Sequence, residues 1–496
     1  MGGGRQRGVV AAGHPVSAQA GAQALRAGGN AVDGAIAAIL ASLAAEPLLT
    51  ALGAGGYMLV VAPGRDPVLL DFFVEAPGRG ADHRTRSELI PVTVSFGDAV
   101  QVFNIGAASV GAYGVPAGLH DASVRFGRLS LAELVAPAAR LARDGVTVSR
   151  EQAYLFEILE GIITATPECA ALFAPGGVAL AEGDTVRQPE LAGTLERFGE
   201  EGPDPFYRGD IATAIVRWVS ERGGTLTAED LAAYRVIERA PVRVRYRGRE
   251  VLTNPPPSAG GILIARALAW LQDADGHPDV ERIVEVMERT QEQRTPEFLE
   301  GLDDPAFVRR FLARAPGTTT HVSAIDADGW ACSVTTSNGS CSGIVVPGTG
   351  VHLNNMMGEQ DLNPMGFHRH PPGRRMPSMM APTIVLRDGE PELVLGSAGS
   401  NRIRSAILQT IIRVIDEGLR AGEAVQAPRV HFEEGVVYAE PGVDTAPLER
   451  AQRTIARFRE RNLFFGGVQA VERDRDGLLW GGGDPRRGGA AVTVEA

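Results

Sequence analysis

Thr318-Thr319-Thr320-His321-Val322-Ser323-Ala324-Ile325-Asp326-Ala327-Asp328-Gly329 is the stretch on which the reading of this chain turns. Residues 322–325 and 331–334 are short runs of small and β-branched side chains. Asp326-Ala327-Asp328-Gly329 between them is turn chemistry, so the spacing predicts a tight hairpin. A threonine triplet opens the first strand, behind the helix-breaking Ala315-Pro316-Gly317. One reading is an ordinary threonine-rich strand start. The other is a chain cut there, so that a threonine becomes a new amino terminus. A free α-amine beside its own hydroxyl puts base and nucleophile on one residue, the logic of an N-terminal-threonine hydrolase.

The rest of the chain narrows the choice. At 496 residues it is long enough for about three average domains, and 44% hydrophobic with 22% charged residues is a folded composition. No window reaches the apolar length of a membrane span. The basic start, Met1 to Arg7, has no apolar signal core behind it. The three cysteines, Cys169, Cys332 and Cys341, are too few and scattered for a disulfide framework or a zinc site. Together these features predict a cytoplasmic protein. A net charge of −12 argues against a nucleic-acid partner.

Taken in order, residues 12–45 read as two helices divided at Gly28-Gly29-Asn30, with small residues on both for close packing. Strands are predicted at 57–61 and 68–73, then a helical middle to about residue 231, strand character over 242–252, and a helix over 262–271. Residues 273–314 are highly charged and read as a surface connector of short helices. Later come a hairpin at 382–396, a helix striped by Ile403, Ile407 and Ile411, and strands near Val437, Val468 and 491–494. No βαβ rhythm runs through this order, which argues for packed antiparallel layers of an α+β protein.

Two further stretches could carry chemistry. Gly396-Ser397-Ala398-Gly399-Ser400-Asn401-Arg402 joins a strand to a helix, where backbone N–H groups can hold an anion or an oxyanion. Its spacing fits no nucleotide-binding glycine motif. His352-Leu353-Asn354-Asn355-Met356-Met357-Gly358-Glu359 places amides and a carboxylate after an apolar run, either to order an amine or to pair with turn backbone. His368-Arg369-His370 lacks metal-ligand spacing, so neither a metal nor a cofactor is expected, and Cys332 reads as core packing.

On these segments the chain resembles the γ-glutamyltranspeptidase family of N-terminal-nucleophile hydrolases. The matching stretches are Gly28-Gly29-Asn30-Ala31-Val32-Asp33, Gly53-Ala54-Gly55-Gly56-Tyr57-Met58-Leu59, Pro256-Pro257-Ser258-Ala259-Gly260-Gly261, Thr319-Thr320-His321-Val322-Ser323, Leu353-Asn354-Asn355-Met356-Met357, Ala381-Pro382-Thr383-Ile384-Val385 and Asp484-Pro485-Arg486. The resemblance implies a four-layer αββα sandwich, made as one precursor and cut between Thr318 and Thr319 into segments 1–318 and 319–496 that together form one domain. It implies Thr319 as nucleophile, the N–H groups of Gly399 and Ser400 as oxyanion donors, and Thr336 or Ser337 against the nucleophile's amine. It assigns Asn338, Glu359 and Ser378 to the substrate. Phe73 stands where the family has a carboxylate-binding arginine, and Met356 where it has a glutamine. The partners implied are a small amide or acyl substrate, with water or an amine as acceptor. The altered pocket predicts poor handling of γ-glutamyl compounds such as glutathione, because losing a bidentate arginine costs on the order of 2–5 kcal/mol.

Three functions fit this reading. The first is an autoprocessing hydrolase or acyltransferase working through an acyl-enzyme. The second uses the same nucleophile on a carbon–carbon bond next to a keto acid in natural-product biosynthesis. The third is a non-catalytic binding relative, against which the intact Thr319, glycine loop and Asn354-Asn355 pair argue. A homo-oligomer is compatible with all three.

Overall fold

The computed structural model of the chain describes residues 6–81, 86–95, 100–272, 276–292, 320–363 and 366–496. Thr318 and Thr319, with most of the charged stretch from 293 onward, lie outside the described residues. The strands of the two large sheets are numbered in chain order: β1 Gln6–Ala12, β2 Gly55–Val61, β3 Val68–Phe72, β4 Ile237–Arg239, β5 Val242–Tyr246, β6 Arg249–Thr253, β7 Thr320–Asp326, β8 Ala331–Ser337, β9 Thr383–Arg387, β10 Glu390–Ala398, β11 Gly467–Arg473, β12 Leu479–Gly482 and β13 Ala490–Glu495. One sheet runs β13-β1-β7-β8-β2-β3-β4 and the other β12-β11-β10-β9-β6-β5. Every pairing within them is antiparallel.

Helices α1 Pro15–Arg26 and α2 Ala31–Ala45 cover the outer face of the first sheet, and α3 Gly260–Gln272 and α4 Arg402–Ile415 that of the second. A third apolar cluster, including Val9, Leu59, Ile325, Ile384, Val394 and Val471, fills the space between the sheets. The result is the αββα sandwich that the resemblance implied. Both sheets contain strands from before and from after position 318, so the two predicted segments share one core.

Local chemistry explains the elements. α1 ends at Ala27 ahead of Gly28, which sits at φ +99°, and Asn30 opens α2 through a reciprocal capping box with Asp33. α2 is buried on all sides, as its almost wholly apolar sequence requires. α1 and α2 touch so closely that a Cβ on Gly21 would lie 2.6 Å from the Gly34 carbonyl oxygen. The turn between β7 and β8 is tied by Asp326, whose Oδ1 accepts from the backbone N–H groups of Asp328 (2.9 Å) and Trp330 (3.0 Å). Its Oδ2 accepts from Ala31 N–H at the start of α2 (2.9 Å).

Two expectations change. The predicted strand at 242–252 is a hairpin, β5 and β6, broken at Arg247 and Gly248, which both take positive φ. The charged connector contains, within its described part, one 13-residue helix, Val280–Glu292, that buries Val284 and Met287 against Val430 and Phe432. Its charges occupy the opposite face, which masked its amphipathic stripe.

Strand β7 is buried along its whole length, so its polar inward side chains are satisfied inside the sandwich. His321 Nδ1 lies 2.8 Å from Thr335 Oγ1 and its Nε2 2.9 Å from Ser323 Oγ. Burial lowers the imidazole pKa to about 3, so the ring is neutral. Gly396 on β10 lies flat against it, and a Cβ there would fall 2.4 Å from His321 Cε1. Gly396→Ala should therefore cost about 1–3 kcal/mol of stability. A denaturation midpoint equal to wild type would show that the sheets are not held this tightly.

Candidate active site

The amino-terminal end of β7 is where the predicted chemistry should gather. Thr320, the residue after Thr319, pairs with Thr336 on β8. Side chains alternate across a strand. Val322, Ala324 and Cys332 belong to the cluster under the outer helices, whereas Ile325 and Ala331 belong to the cluster between the sheets. Thr320 and Thr336 share the parity of the outer set. Their contacts agree: Thr320 Oγ1 donates to Glu46 Oε1 (3.2 Å), and Thr336 Oγ1 meets Thr50 Oγ1 (2.8 Å). Ser337 has the opposite parity, shared with His321 and Thr335, and its Oγ accepts from Gly339 N–H (2.9 Å). Of the two hydroxyls expected near the nucleophile's amine, that of Thr336 is thus turned to the helical side.

Glu46 was not foreseen. It follows the last residue of α2, is buried, and its Oε2 has no hydrogen-bond partner among the described residues. Burial raises its pKa to about 7, against hydrogen bonds from Ser42 and Thr320 and the charge of Arg487. A lone acid ending an apolar helix and followed by proline was the available signal. Arg487, close to Glu46, carried no such signal. It follows a buried lock in which Asp484 binds Arg429 Nη1 (2.7 Å) and Arg486 Nη1 (3.1 Å), and Arg486 binds Glu440 (2.5 Å). That lock also gives the predicted Asp484-Pro485-Arg486 motif its place in the structure.

The glycine turn follows β10. Gly399 takes φ +120°, and a Cβ there would come within 2.5 Å of Gly466 Cα, so no side chain fits. Ser400 is buried in the left-handed region at φ +55°, a conformation that costs energy for a residue with a Cβ and is concentrated at functional turns. Gly399, Gly339, Ser340, Arg402 and Arg487 line one cleft, with Leu49, Phe103, Leu155 and Leu463 on its apolar side.

Behind the cleft floor, Glu359 Oε1 accepts from the N–H (2.9 Å) and hydroxyl (3.1 Å) of Ser340, and Asn355 Nδ2 donates to the same hydroxyl (2.7 Å). Asn338 accepts no bond at Oδ1 among the described residues, while its N–H donates to Leu49 (3.0 Å). The structure thus brings Gly399, Asn338 and Glu359 to one region. Phe73 and Met356 are instead packed between the sheets, Phe73 stacked on Tyr57 with centroids 5.4 Å apart. Their apolar side chains fold inward, away from the cleft lining. Ser378 is occupied locally: its Oγ accepts from Met380 N–H (3.0 Å) and its carbonyl from Ala259 N–H (2.8 Å). Cys332 lies in the core, and among the described residues no cluster of three His, Cys, Asp or Glu could hold a metal.

A family model described as Gamma-glutamyltranspeptidase matches residues 17–314 and 306–494. The Acylase ACY 1 proenzyme of Pseudomonas sp. strain SE83 is 33% identical over 98% of this chain and 94% of its own length. The Glutathione hydrolase proenzyme of Escherichia coli strain K12 is 32% identical over 97% of this chain and 90% of its own. Among solved structures, the cephalosporin acylase from Bacillus halodurans superposes with a TM-score of 0.84 at 27% identity, covering 99% of this chain and 96% of that one.

Glu46 supplies a test of the electrostatics. Its folded pKa, about 7 against an ordinary 4.5, means that the native chain keeps a proton which the unfolded chain has released. The stability due to this protonated form is complete below the unfolded value and is lost as pH rises through the folded one. The shift is worth about 3 kcal/mol. The stability of Glu46→Gln relative to wild type should therefore grow by about that amount between pH 5 and pH 8, read from denaturant unfolding. A difference constant with pH would contradict the assignment.

Proposed function

This chain belongs to the gamma-glutamyltranspeptidase family, and from that premise we propose that it is an N-terminal-threonine amidohydrolase or acyltransferase that matures by cutting itself before Thr319. In maturation the Thr319 hydroxyl attacks the Thr318 carbonyl, the peptide nitrogen leaves as the Thr319 amine, and an ester results. Water hydrolyses that ester, giving segments 1–318 and 319–496. In turnover the same hydroxyl attacks the substrate's acyl carbon while the α-amine takes its proton and passes it to the leaving amine. The N–H groups of Gly399 and Ser400 stabilise the oxyanion, each worth about 3 kcal/mol. The acyl-enzyme then passes its acyl group to water or to an amine.

The observation that supports this most is the meeting of three elements at one end of the sandwich. β7 begins there at Thr320, β8 ends there at Ser337 beside the cleft-lining Gly339 and Ser340, and the Gly399 turn forms the facing wall. The buried acceptors Asn338 Oδ1 and Asn355 Oδ1, without partners among the described residues, suit a site that receives donors such as a new α-amine or a substrate N–H. In this reading Ser337 holds the amine, while Asn338 and Glu359 orient the substrate. The relatives' names span acylase and glutathione hydrolase. With Leu49, Phe103, Leu155 and Leu463 as its apolar side, the cleft suits acyl groups other than γ-glutamyl.

On incubation the purified protein should resolve into two fragments, the smaller beginning Thr-Thr-His by Edman sequencing, and Thr319→Ala should stay whole. A different new terminus, or cleavage of the Ala variant, would move the nucleophile elsewhere.

A further inference from the structure

The cleft beside Gly399 carries two guanidinium groups to which the proposed reaction gives no task. Arg402 is held from behind: its Nε donates to the Phe464 carbonyl (3.0 Å) and its Cζ lies 4.5 Å from the centroid of that ring. Arg487 is pinned by its stem, which crosses Gly467 so closely that a Cβ there would meet Arg487 Cδ at 2.3 Å. Its Nη2 donates to the Leu463 carbonyl (3.4 Å), and its buried Nε has no acceptor among the described residues. Burial and the neighbouring charge of Arg402 lower the pKa of Arg487 to about 10. Glu46 is the acid beside it, and burial pushes that carboxyl too toward its neutral form. Two cations sharing one cleft, one with an unused donor, are relieved by an anion, and the planar guanidinium fork matches a carboxylate.

We propose that Arg487, assisted by Arg402, is the specificity-determining anchor for a carboxylate carried by the amide substrate. The acid-recognising role missing at Phe73 is thereby supplied from another element, the turn after Asp484. The inference rests on the reading of this cleft as the acyl site. The apolar side of the cleft, with Leu49, Phe103 and Leu463, fits a short hydrocarbon spacer between the scissile carbonyl and the acid. The class of substrate is therefore a carboxyacyl amide. A carboxylate on the leaving amine has the same chemistry, and the test separates the two.

The self-cleaved protein is given glutaryl anilide, its neutral 4-carbamoylbutanoyl counterpart, and the butanoyl amide of 4-aminobenzoate beside butanoyl anilide. Both kcat/KM and, by calorimetry, Kd are measured. Wild type should favour the acid over the neutral partner by roughly 10- to 100-fold in one of the two pairs, and that pair identifies which end carries the carboxylate. Arg487→Gln and Arg487→Met should each bring the ratio close to one, while Arg487→Lys keeps part of it. Ratios near one in wild type, or ratios unchanged in both neutral variants, overturn the anchor. Carboxylate-selective binding without turnover keeps the anchor and removes the hydrolase reading, whereas turnover without selectivity does the reverse.

Discussion

The structure depends on a single constraint: β7 is a central strand with no face open to water. It is hydrogen-bonded to β1 on one side and β8 on the other, and every described residue from Thr320 to Asp326 is buried. A polar side chain on such a strand must find its partner in the neighbouring layer. His321, Ser323, Ser333, Thr335 and Thr383 do so as one network. Ser333 Oγ donates to the Leu395 carbonyl (3.0 Å) and accepts from Thr383 N–H (3.0 Å), which ties the two sheets together. The neutral His321 ring then dictates glycine at position 396. Three residues further along the same strand edge, the chain turns at Gly399. The geometry of the candidate site is thus a consequence of how β7 is buried.

Charge at the site follows the same logic of restricted solvent. Glu46 and Arg487 approach the cleft from different elements, and burial pushes each toward its neutral form. The lock of Arg429, Asp484, Arg486 and Glu440 shows the contrasting arrangement. There each buried charge has an opposite partner, and Asp484 is held below the usual carboxylate range despite burial, by Arg429 and Arg486. Opposite charges in direct contact make that cluster a brace. Incomplete pairing leaves Arg487 able to engage a ligand.

Features written locally were legible in the sequence. The Asp-Ala-Asp-Gly turn, the helix break at Gly28-Gly29-Asn30, the glycine turn at 399 and the apolar stripe of α4 each depend on residues close in the chain, and each stands where spacing put it. Features that depend on which side a residue faces were less legible. Thr336 and Ser337 are adjacent and chemically alike, and only the register with Thr320 assigns them to opposite faces. Phe73 and Met356 read as pocket substitutions, yet an apolar side chain prefers the core between the sheets to a wet cleft. Arg487 has no pattern at all, because what distinguishes it from Arg486 is a partner elsewhere in the fold.

The claim at the centre is that one hydroxyl, on Thr319, carries the acyl group. Mixing the mature protein with a slowly deacylated donor, quenching in acid and mapping the adduct by peptide mass spectrometry tests it directly. The account predicts one acyl mass on the peptide that begins at Thr319, bound as a hydroxylamine-labile ester. An adduct on any other residue, or turnover with no trapped acyl species, would contradict it.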